Sequence, residues 1–444
     1  MSNTPTIHRA VARACFLAAL LLTGGCKTDD LLRSNNPDVI DPGALGTAQG
    51  AVALYNGAVG DFAMAADGGA GTGAGVGLVE AGAWFSDEAR FGGTPPEVKQ
   101  MDLRGVRKEA AAWQQMYLNL HRARESAERA ATALAVFDKA DARISEMYSI
   151  SALVQILMGE HYCSGVPFST SEPTIEFGDP LTTAQIFQRA LTRLDQAKQT
   201  ATGTNVSLEA VLRGRALLDL GRYSEAAAAV AAVPDTFVYR TAHGTSTSRQ
   251  NNFMYTDAFS ADRFSVSDRE GTNGLNFASA NDPRIPVEAP TANGGLSRFD
   301  NVTPMVRFLR YNNLSAPVTH ASGIEARLIE AEAALNAGDA AAWLLKLNAA
   351  RATMSGLAPL TDPGTASARV DLMFRERAFW MFMTGHRVGD LRRLIRQYGR
   401  AAESVFPTGA YHKDNLARGT DVNIIIPISE ENNPKFKGCL DRNA

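Results

Sequence analysis

The sequence has few cysteines and histidines and no excess of charge of either sign. Over 444 residues it carries four cysteines and seven histidines, and its 44 lysines and arginines nearly balance 47 acidic residues, for a formal net charge of −3. A chain without a basic excess has little with which to neutralise a phosphate backbone, so nucleic-acid binding is disfavoured. No apolar run has the roughly 20 residues that a membrane-spanning helix needs. We therefore expect a folded, non-spanning protein of roughly two to three structural units.

Motifs that would support catalysis or cofactor binding are missing as well. The H-E-x-x-H and C-x-x-C spacings of metal sites do not occur, nor does the G-x-S-x-G turn of a nucleophilic serine. The glycine-rich stretch from Gly68 to Gly75 is not followed by Gly-Lys-Ser/Thr, so it predicts a loop rather than a phosphate site. We expect no metal, no cofactor and no catalytic residue, and the protein is not predicted to be an enzyme. A glycan hydrolase remains an alternative, because it needs two facing carboxylates, a geometry that sequence does not reveal.

The N-terminus has the pattern of a lipoprotein signal. A basic segment ending at Arg13 precedes the apolar stretch Ala14–Leu22, which is too short to span a bilayer, and small residues then lead to Cys26. We predict a signal peptide over residues 1–25 and acylation of Cys26, so that lipid alone holds the protein to a membrane. The acidic residues after Cys26 favour a surface-exposed location on the outer membrane. An ordinary secretory signal with an incidental cysteine is the alternative.

Two cysteines, Cys163 and Cys439, remain if Cys15 leaves with the signal peptide and Cys26 carries lipid. In an exported protein such a pair can form a disulfide. Two distant cysteines can equally be small buried side chains. The sequence leaves both interpretations open.

Apolar residues at steps of three and four predict a mainly α-helical fold. They mark a long helix from Trp113 to Phe137, a partner helix from Ile144 to Leu157, and a helical hairpin from Leu208 to Val233. In the hairpin, Gly221 suits the left-handed end of the first helix and Ser224 can cap the second. The hairpin resembles a tetratricopeptide repeat, whose paired helices bury their apolar sides by stacking.

A second hairpin of the same kind begins at Ala326. Gly338 can end its first helix, and Asp339 is a good N-cap for the next one. Each hairpin has one apolar side and must stack on neighbours to bury it. The two copies therefore predict a tetratricopeptide-like helical scaffold with a short extended segment near the C-terminus.

The stretch between the two hairpins lacks helical periodicity. It is rich in Gly, Ser, Thr, Asn and Pro, and it interleaves aromatic residues with arginines. An irregular stretch of that length is usually functional or folds into a subdomain of its own. We therefore divide the chain into a signal peptide, a tether, an N-terminal helical repeat region, a loop-rich insert that carries the ligand face, and a C-terminal helical region: 1–25, 26–45, 46–234, 235–322 and 323–444.

Several short motifs occur in an order that covers nearly the whole chain. They are Cys26, Asn36-Pro37, the Asp282-Pro283-Arg284 turn, Glu325–Leu335, Glu376–Arg393, and Ile426-Pro427-Ile428 with Asn433-Pro434. In this order they resemble the SusD/RagB family of outer-membrane nutrient-binding lipoproteins. The chain departs from the family's pattern at Thr384, where the family commonly has an acidic residue.

The resemblance implies a helical scaffold with an irregular ligand-binding face, anchored by lipid and seated on a TonB-dependent transporter of the SusC type. Family ligands are mostly glycans and sometimes peptides, so it implies capture of an oligomeric nutrient, an oligosaccharide or a peptide. A tetratricopeptide scaffold that assembles other envelope proteins is the alternative. The residues that match the C-terminal signature of the family look structural rather than ligand-binding: Glu376, Arg377, His386, Arg387, Asp390, Arg392 and Arg393.

Sugar recognition needs an aromatic ring that lies flat on the sugar and polar groups for its hydroxyls. The segment just before Gly92–Pro96 supplies both, and we predict ligand contacts at Trp84, Phe85, Asp87, Arg90 and Phe91. The alternative is that the two leading aromatic residues belong to the core and Asp87 caps a helix. From the insert we add four residues, although rings there can also pin the loop onto the scaffold: Tyr255, Arg263, Phe299 and Tyr311.

Overall fold

The computed structural model describes residues 45–69, 75–171 and 174–444. The predicted signal peptide, Cys26 and nearly all of the tether lie outside the described residues, as do residues 70–74 of the glycine-rich stretch. Residues 51–444 form one compact unit, and residues 45–50 are the described part of a second unit at the N-terminus. The boundaries between helical regions and insert fall inside the compact unit and stay predictions.

Helices make up most of the regular structure of the described residues, which confirms the predicted mainly helical fold. None of these helices combines the length with the apolar composition that a bilayer span requires. In chain order the helices are α1 (Ala48–Ala66), α2 (Leu78–Phe85), α3 (Pro96–Asp102), α4 (Ala111–Phe137), α5 (Ala142–His161), α6 (Thr183–Lys198), α7 (Thr204–Asp219), α8 (Tyr223–Val230), α9 (Phe253–Tyr255), α10 (Gly323–Asn336), α11 (Ala340–Ala352), α12 (Ala366–Trp380), α13 (Arg387–Arg396) and α14 (Ala402–Val405).

The strands of the described residues are short and form antiparallel pairs. They are β1 (Ala89–Phe91) with β5 (Phe264–Val266), β2 (Val166–Pro167) with β3 (Pro180–Leu181), β4 (Val238–Thr241) with β8 (Val318–Ser322), and β6 (Val287–Glu288) with β7 (Arg307–Phe308). The β1–β5 pair sets Phe91 opposite Phe264 and so joins the insert to the segment that follows α2. The β4–β8 pair brings the two ends of the insert together.

The two predicted helical hairpins are present. Gly221 between α7 and α8 has a φ of +71°, and Gly338 between α10 and α11 has a φ of +78°, so both turns use the left-handed backbone that glycine accepts. Asp339 caps α11, because its side chain accepts a hydrogen bond of 2.9 Å from the N–H of Ala342. Ser224 is not the cap of α8, since that helix already begins at Tyr223.

The charged side chains of the C-terminal signature are buried and paired with one another. Arg377 and Arg393 each donate to Asp390, at 2.9 and 2.8 Å, and the second of these contacts lies within α13. Arg393 also pairs with Glu332 of α10, and Arg387 donates to Asp87 at 2.6 Å. The signature is therefore structural, because burying these charges requires that each has a partner.

A disulfide joins Cys163, just after α5, to Cys439 near the C-terminus, with a Cα–Cα distance of 5.8 Å. The sequence left open whether these cysteines are bonded or separately buried, and the structure shows the disulfide. The tail is held at the same place by backbone hydrogen bonds, from Ile424 N–H to His161 O at 2.7 Å and from Cys163 N–H to Ile424 O at 3.0 Å. The extended segment predicted near the C-terminus therefore lies alongside the end of α5, where Ile424 pairs with Tyr162.

Candidate functional site

Trp84 and Phe85 are core residues, which corrects the prediction that they bind a sugar. Every residue of α2 is buried, and both aromatic side chains have no exposed surface. The ring of Trp84 packs edge-on against Phe91 at 5.3 Å between centroids and is tilted by 45° against Phe264 at 5.8 Å. The residues of β1 and β5 therefore shield Trp84 from solvent. A ring without an accessible face cannot stack on a pyranose.

Asp87, Arg90 and Phe91 are also occupied by contacts within the protein. The carboxylate of Asp87 is buried and accepts from Arg387 and, at 2.9 Å, from the N–H of Leu275. Arg90 donates to Glu270 and to the carbonyl of Asp268, and Phe91 is buried. These side chains connect the β1 segment to the insert. The prediction that they contact a ligand is therefore wrong.

Tyr311 is buried as well. Its hydroxyl donates a hydrogen bond of 2.8 Å to the carbonyl of Met383, and its ring packs edge-on against Phe308 at 5.3 Å. The residue therefore pins the insert to the turn before α13, which was the alternative for rings of the insert. It is corrected from a ligand contact to a packing residue.

The three other predicted residues of the insert are at least partly exposed and belong to two neighbouring groups of contacts. Tyr255 stacks on Phe259 with 5.1 Å between ring centroids and 19° between ring planes, and the guanidinium of Arg307 lies 5.1 Å from the Phe259 centroid. The guanidinium of Arg263 lies 5.7 Å from the ring of Phe299, which is 49% exposed. We call these residues the aromatic–arginine face: Tyr255, Phe259, Arg263, Phe299 and Arg307.

Local sequence shapes the first part of this face. Asn252 caps α9, since its side-chain oxygen accepts from the N–H of Tyr255 at 3.0 Å. The chain continues into a π-helical turn over residues 256–260, so that Phe259 comes to lie beside Tyr255. Asp262 then adopts a φ of +47° and turns the chain into β5.

A buried serine connects the two parts of the face. The hydroxyl oxygen of Ser297 lies 2.6 Å from the carbonyl oxygen of Gly92 and 2.7 Å from that of Asp262, and its single proton can serve one of them at a time. It also accepts from the N–H of Phe299 at 3.1 Å. The Phe299 ring is therefore carried by a backbone that is fixed to β1 and to the turn before β5.

Two aspartates hold the arginines in place. Asp257 accepts from Arg263 at 2.5 Å, and Asp262 accepts from Arg307 at 3.0 Å and from Arg298. Both carboxylates are buried under the guanidinium groups that they bind. Charge-assisted hydrogen bonds of this kind restrict the orientation of a long side chain, so the donors of the face are pre-oriented.

Glu80 of α2 lies beside Asp257. Burial, and then the neighbouring Asp257, raise the pKa of Glu80 well above its usual range. Among the described residues no donor reaches either oxygen of the Glu80 carboxyl group. A protonated Glu80 can donate to Asp257 instead, which leaves that carboxylate free to hold Arg263.

Sequence reasoning selected three residues of the aromatic–arginine face and missed two. Phe259 follows Tyr255 by four residues, a spacing that places both on one side of a helical turn. Arg307 carried no local signal, because it reaches Phe259 from β7, far along the chain. No group of three or more His, Cys, Asp or Glu side chains in the described ranges is arranged to hold a metal ion.

Comparison with known proteins identifies the class of fold. No protein-family model matches the sequence, and no curated protein shows significant similarity to it. A SusD superfamily protein from Parabacteroides distasonis is similar over 88% of this chain and 98% of its own, with a TM-score of 0.68 and 13% identity. A SusD-like carbohydrate-binding protein from Bacteroides vulgatus matches 88% of this chain and 97% of its own (TM-score 0.63, 13% identity).

A laminarin-binding SusD-like protein matches 88% of this chain and 99% of its own, with a TM-score of 0.60 and 15% identity. The chain therefore has the SusD fold, as its sequence resemblance predicted.

Proposed function

We propose that the protein is a lipid-anchored glycan-binding protein of the outer membrane, which captures an oligomeric nutrient for a TonB-dependent transporter of the SusC type. The observation that carries the binding role is the half-exposed Phe299 ring beside the Arg263 guanidinium. An apolar ring next to oriented donors is what a pyranose needs. Two proteins of this fold are described as carbohydrate-binding and laminarin-binding, which supports the same role here.

The protein holds its ligand without changing it. The carboxylates that hold Arg263 and Arg298, those of Asp257 and Asp262, are buried and bonded to these arginines. Hydrolysis of a glycosidic bond needs two carboxyl groups that reach the bond from both sides. Prolonged incubation with a polysaccharide panel tests this point, and the appearance of shortened products would establish the hydrolase alternative.

Substitution of Phe299 tests the binding site. Affinity electrophoresis in gels containing a panel of glycans, laminarin among them, gives a dissociation constant for each. We expect Phe299→Ala to weaken binding about tenfold or more, since it removes the only large apolar contact that we assign to the ligand. Phe137→Ala is the matched control, because Phe137 at the end of α4 is equally exposed at 49%. Equal behaviour of both variants would contradict this site.

The anchor and the transporter need separate experiments. Metabolic labelling with palmitate should mark the wild-type protein and leave Cys26→Ala unmarked. A pull-down in mild detergent should recover a large β-barrel transporter. Recovery of envelope assembly factors without a barrel would instead support the scaffold alternative, which the paired helices α7–α8 and α10–α11 allow.

A further inference from the structure

The charges of the aromatic–arginine face are unevenly exposed. Arg263 pairs with Asp257. Arg298, the residue before Phe299, shares Asp262 with Arg307, and Arg307 also lies 3.6 Å from Glu288. Both aspartate side chains are 4% exposed, whereas those of Arg298 and Arg263 are 52% and 30% exposed. A ligand that approaches Phe299 therefore meets cations, and the anions that balance them lie underneath.

Both exposed arginines retain unused donors. Arg298 bonds Asp262 through Nε and the carbonyl of Ser260 through Nη2, and Arg263 bonds Asp257 through Nη2. Within the described residues, Nη1 of either arginine makes no hydrogen bond to the protein. Guanidinium N–H groups in this state suit carboxylate or sulfate oxygens, which accept charge-assisted hydrogen bonds.

Other charges near the face do not cancel this effect at Phe299. Glu288 is 48% exposed, but its ion pair, at 3.6 Å, is with Arg307 and not with Arg263 or Arg298. Lys413 pairs with Asp300 at 2.9 Å, and both side chains are mostly buried. The whole chain carries a net charge of −3, so a generally basic surface is not the reason for the cationic end of the face.

We propose that the aromatic–arginine face binds acidic glycans, with a sugar ring on Phe299 and a carboxylate or sulfate group paired with Arg298 and Arg263. The inference rests on the proposed glycan-binding function and adds the class of ligand. The pairing requires no movement of the aspartates, because the donors it uses are those that they leave free. Ring stacking supplies contact area, and the charged substituent supplies selectivity.

Three glycan probes distinguish a charged ligand from a neutral one, and a carboxylate from a sulfate. Polygalacturonate presents carboxylates, a sulfated galactan presents sulfates, and laminarin is neutral. Binding of each is measured by calorimetry at about 50 mM and about 500 mM NaCl, since salt screens exposed ion pairs. We expect at least one acidic glycan to bind about tenfold more tightly than laminarin at low salt, and to lose most of that advantage at high salt.

Arg298→Gln is the main variant, because its side chain is exposed and its loss leaves Arg307 on Asp262. We expect it to weaken binding of the acidic glycan about tenfold and to leave laminarin binding within about twofold. Arg298→Lys should recover part of the affinity. Arg222→Gln, just before α8, where the arginine is 41% exposed and pairs with Glu225, should change neither. Arg263→Gln serves as a second variant once circular dichroism shows it folded.

Two results would overturn the inference. One is equal affinity for neutral and acidic glycans, and the other is acidic-glycan binding that Arg298→Gln and Arg222→Gln affect alike. In both cases the proposed function stands if Phe299→Ala still weakens binding. Failure of every glycan to bind would overturn the proposed function, and the inference with it.

Discussion

Glu88 lies in the turn between α2 and β1, and its side chain is buried. Burial raises the pKa of its carboxyl group to about 8, although the N–H of Met383 and the charge of Arg387 act in the opposite direction. The Met383 N–H donates to Oε1 at 3.0 Å. At neutral pH the folded protein therefore holds Glu88 mostly protonated, whereas the unfolded chain does not.

Replacement of Glu88 by glutamine should stabilise the protein increasingly as the pH rises. The unfolded chain loses this proton near pH 4.5 and the folded chain near pH 8, so the stability linked to it is complete below about pH 4.5 and falls as the pH rises to about 8. Glutamine has no such proton to lose and can still accept from Met383. We expect the variant to match wild type near pH 4 and to exceed it by up to about 3 kcal/mol near pH 7, measured by urea unfolding.

Glu225→Gln is the control for this measurement. Glu225 is exposed on α8, and its hydrogen bond with Arg222 lowers its pKa, so its substitution should give no gain that grows with pH. Unfolding free energies of Glu88→Gln and wild type that differ by the same amount at every pH would show that Glu88 is already charged in the folded protein.

At the level of elements, one arginine side chain caps the C-terminal end of α5. Nη1 of the fully buried Arg392 on α13 lies 2.8 Å from the carbonyl oxygens of Gly159 and Glu160 and 3.1 Å from that of Tyr162. The last carbonyls of a helix have no partner within the helix, and a positive charge near them is favoured by the helix dipole. Arg392 therefore connects α13 to α5 through the backbone.

Arg392→Met should destabilise the protein strongly. The variant removes the donor and leaves these buried carbonyls unpaired, which we expect to lower the free energy of unfolding by about 3 kcal/mol or more. Arg400→Met is the control, because its contact with Asp371 lies at the surface and should be worth less than about 1 kcal/mol. Urea unfolding compares the two variants. Similar losses of stability would mean that the carbonyl groups at the end of α5 find other hydrogen-bond donors.

The helices and their turns could be predicted from the sequence because the relevant interactions are local. The apolar stripe of α4 and the glycines at 221 and 338 report structure within a few residues of themselves. The start of α8 was misplaced by one to two residues, as is common for helix ends.

The candidate site was harder to predict, because long-range contacts decide which aromatic rings are accessible. Trp84 is buried by β5, whose residues come long after it in the chain, and no local pattern signals that pairing. The arginine beside Phe259 likewise comes from a distant strand. Composition identified the insert as rich in aromatic residues and arginines, but only the fold separates rings that pack from rings that are exposed.

Across the whole molecule, buried ion pairs fix the C-terminal signature, while the insert carries the exposed rings and donors. Glu376 pairs with Arg284 of the insert at 2.7 Å and with Arg351 of α11 at 2.8 Å. Since removing one partner of a buried pair leaves an uncompensated charge, these contacts restrict how the helices and the insert can pack. In the proposed function, recognition is left to surface residues such as Phe299, which can change without disturbing this network.

The disulfide adds a constraint of a different kind. Cys163 and Cys439 are 276 positions apart, so the bond restricts a large part of the unfolded chain. For a loop of this length the chain-entropy model gives about 5.6 kcal/mol, an upper bound on what the bond contributes. The tail is also held without the bond, because Nδ2 of Asn423 donates to the carbonyls of Arg442 and Asn443 at 3.0 and 2.8 Å.

We therefore expect the double variant Cys163→Ala/Cys439→Ala to lose stability but to keep its native structure. Its free energy of unfolding should fall by about 2 to 5 kcal/mol, with unchanged helical circular dichroism and unchanged glycan binding. Urea unfolding with and without reductant provides the internal control, since reductant should bring wild type close to the double variant and leave the double variant unaffected. A variant as stable as the oxidised protein would show that the bond adds no net stability. Loss of helical signal would show instead that the tail's hydrogen bonds are too weak to keep it beside α5.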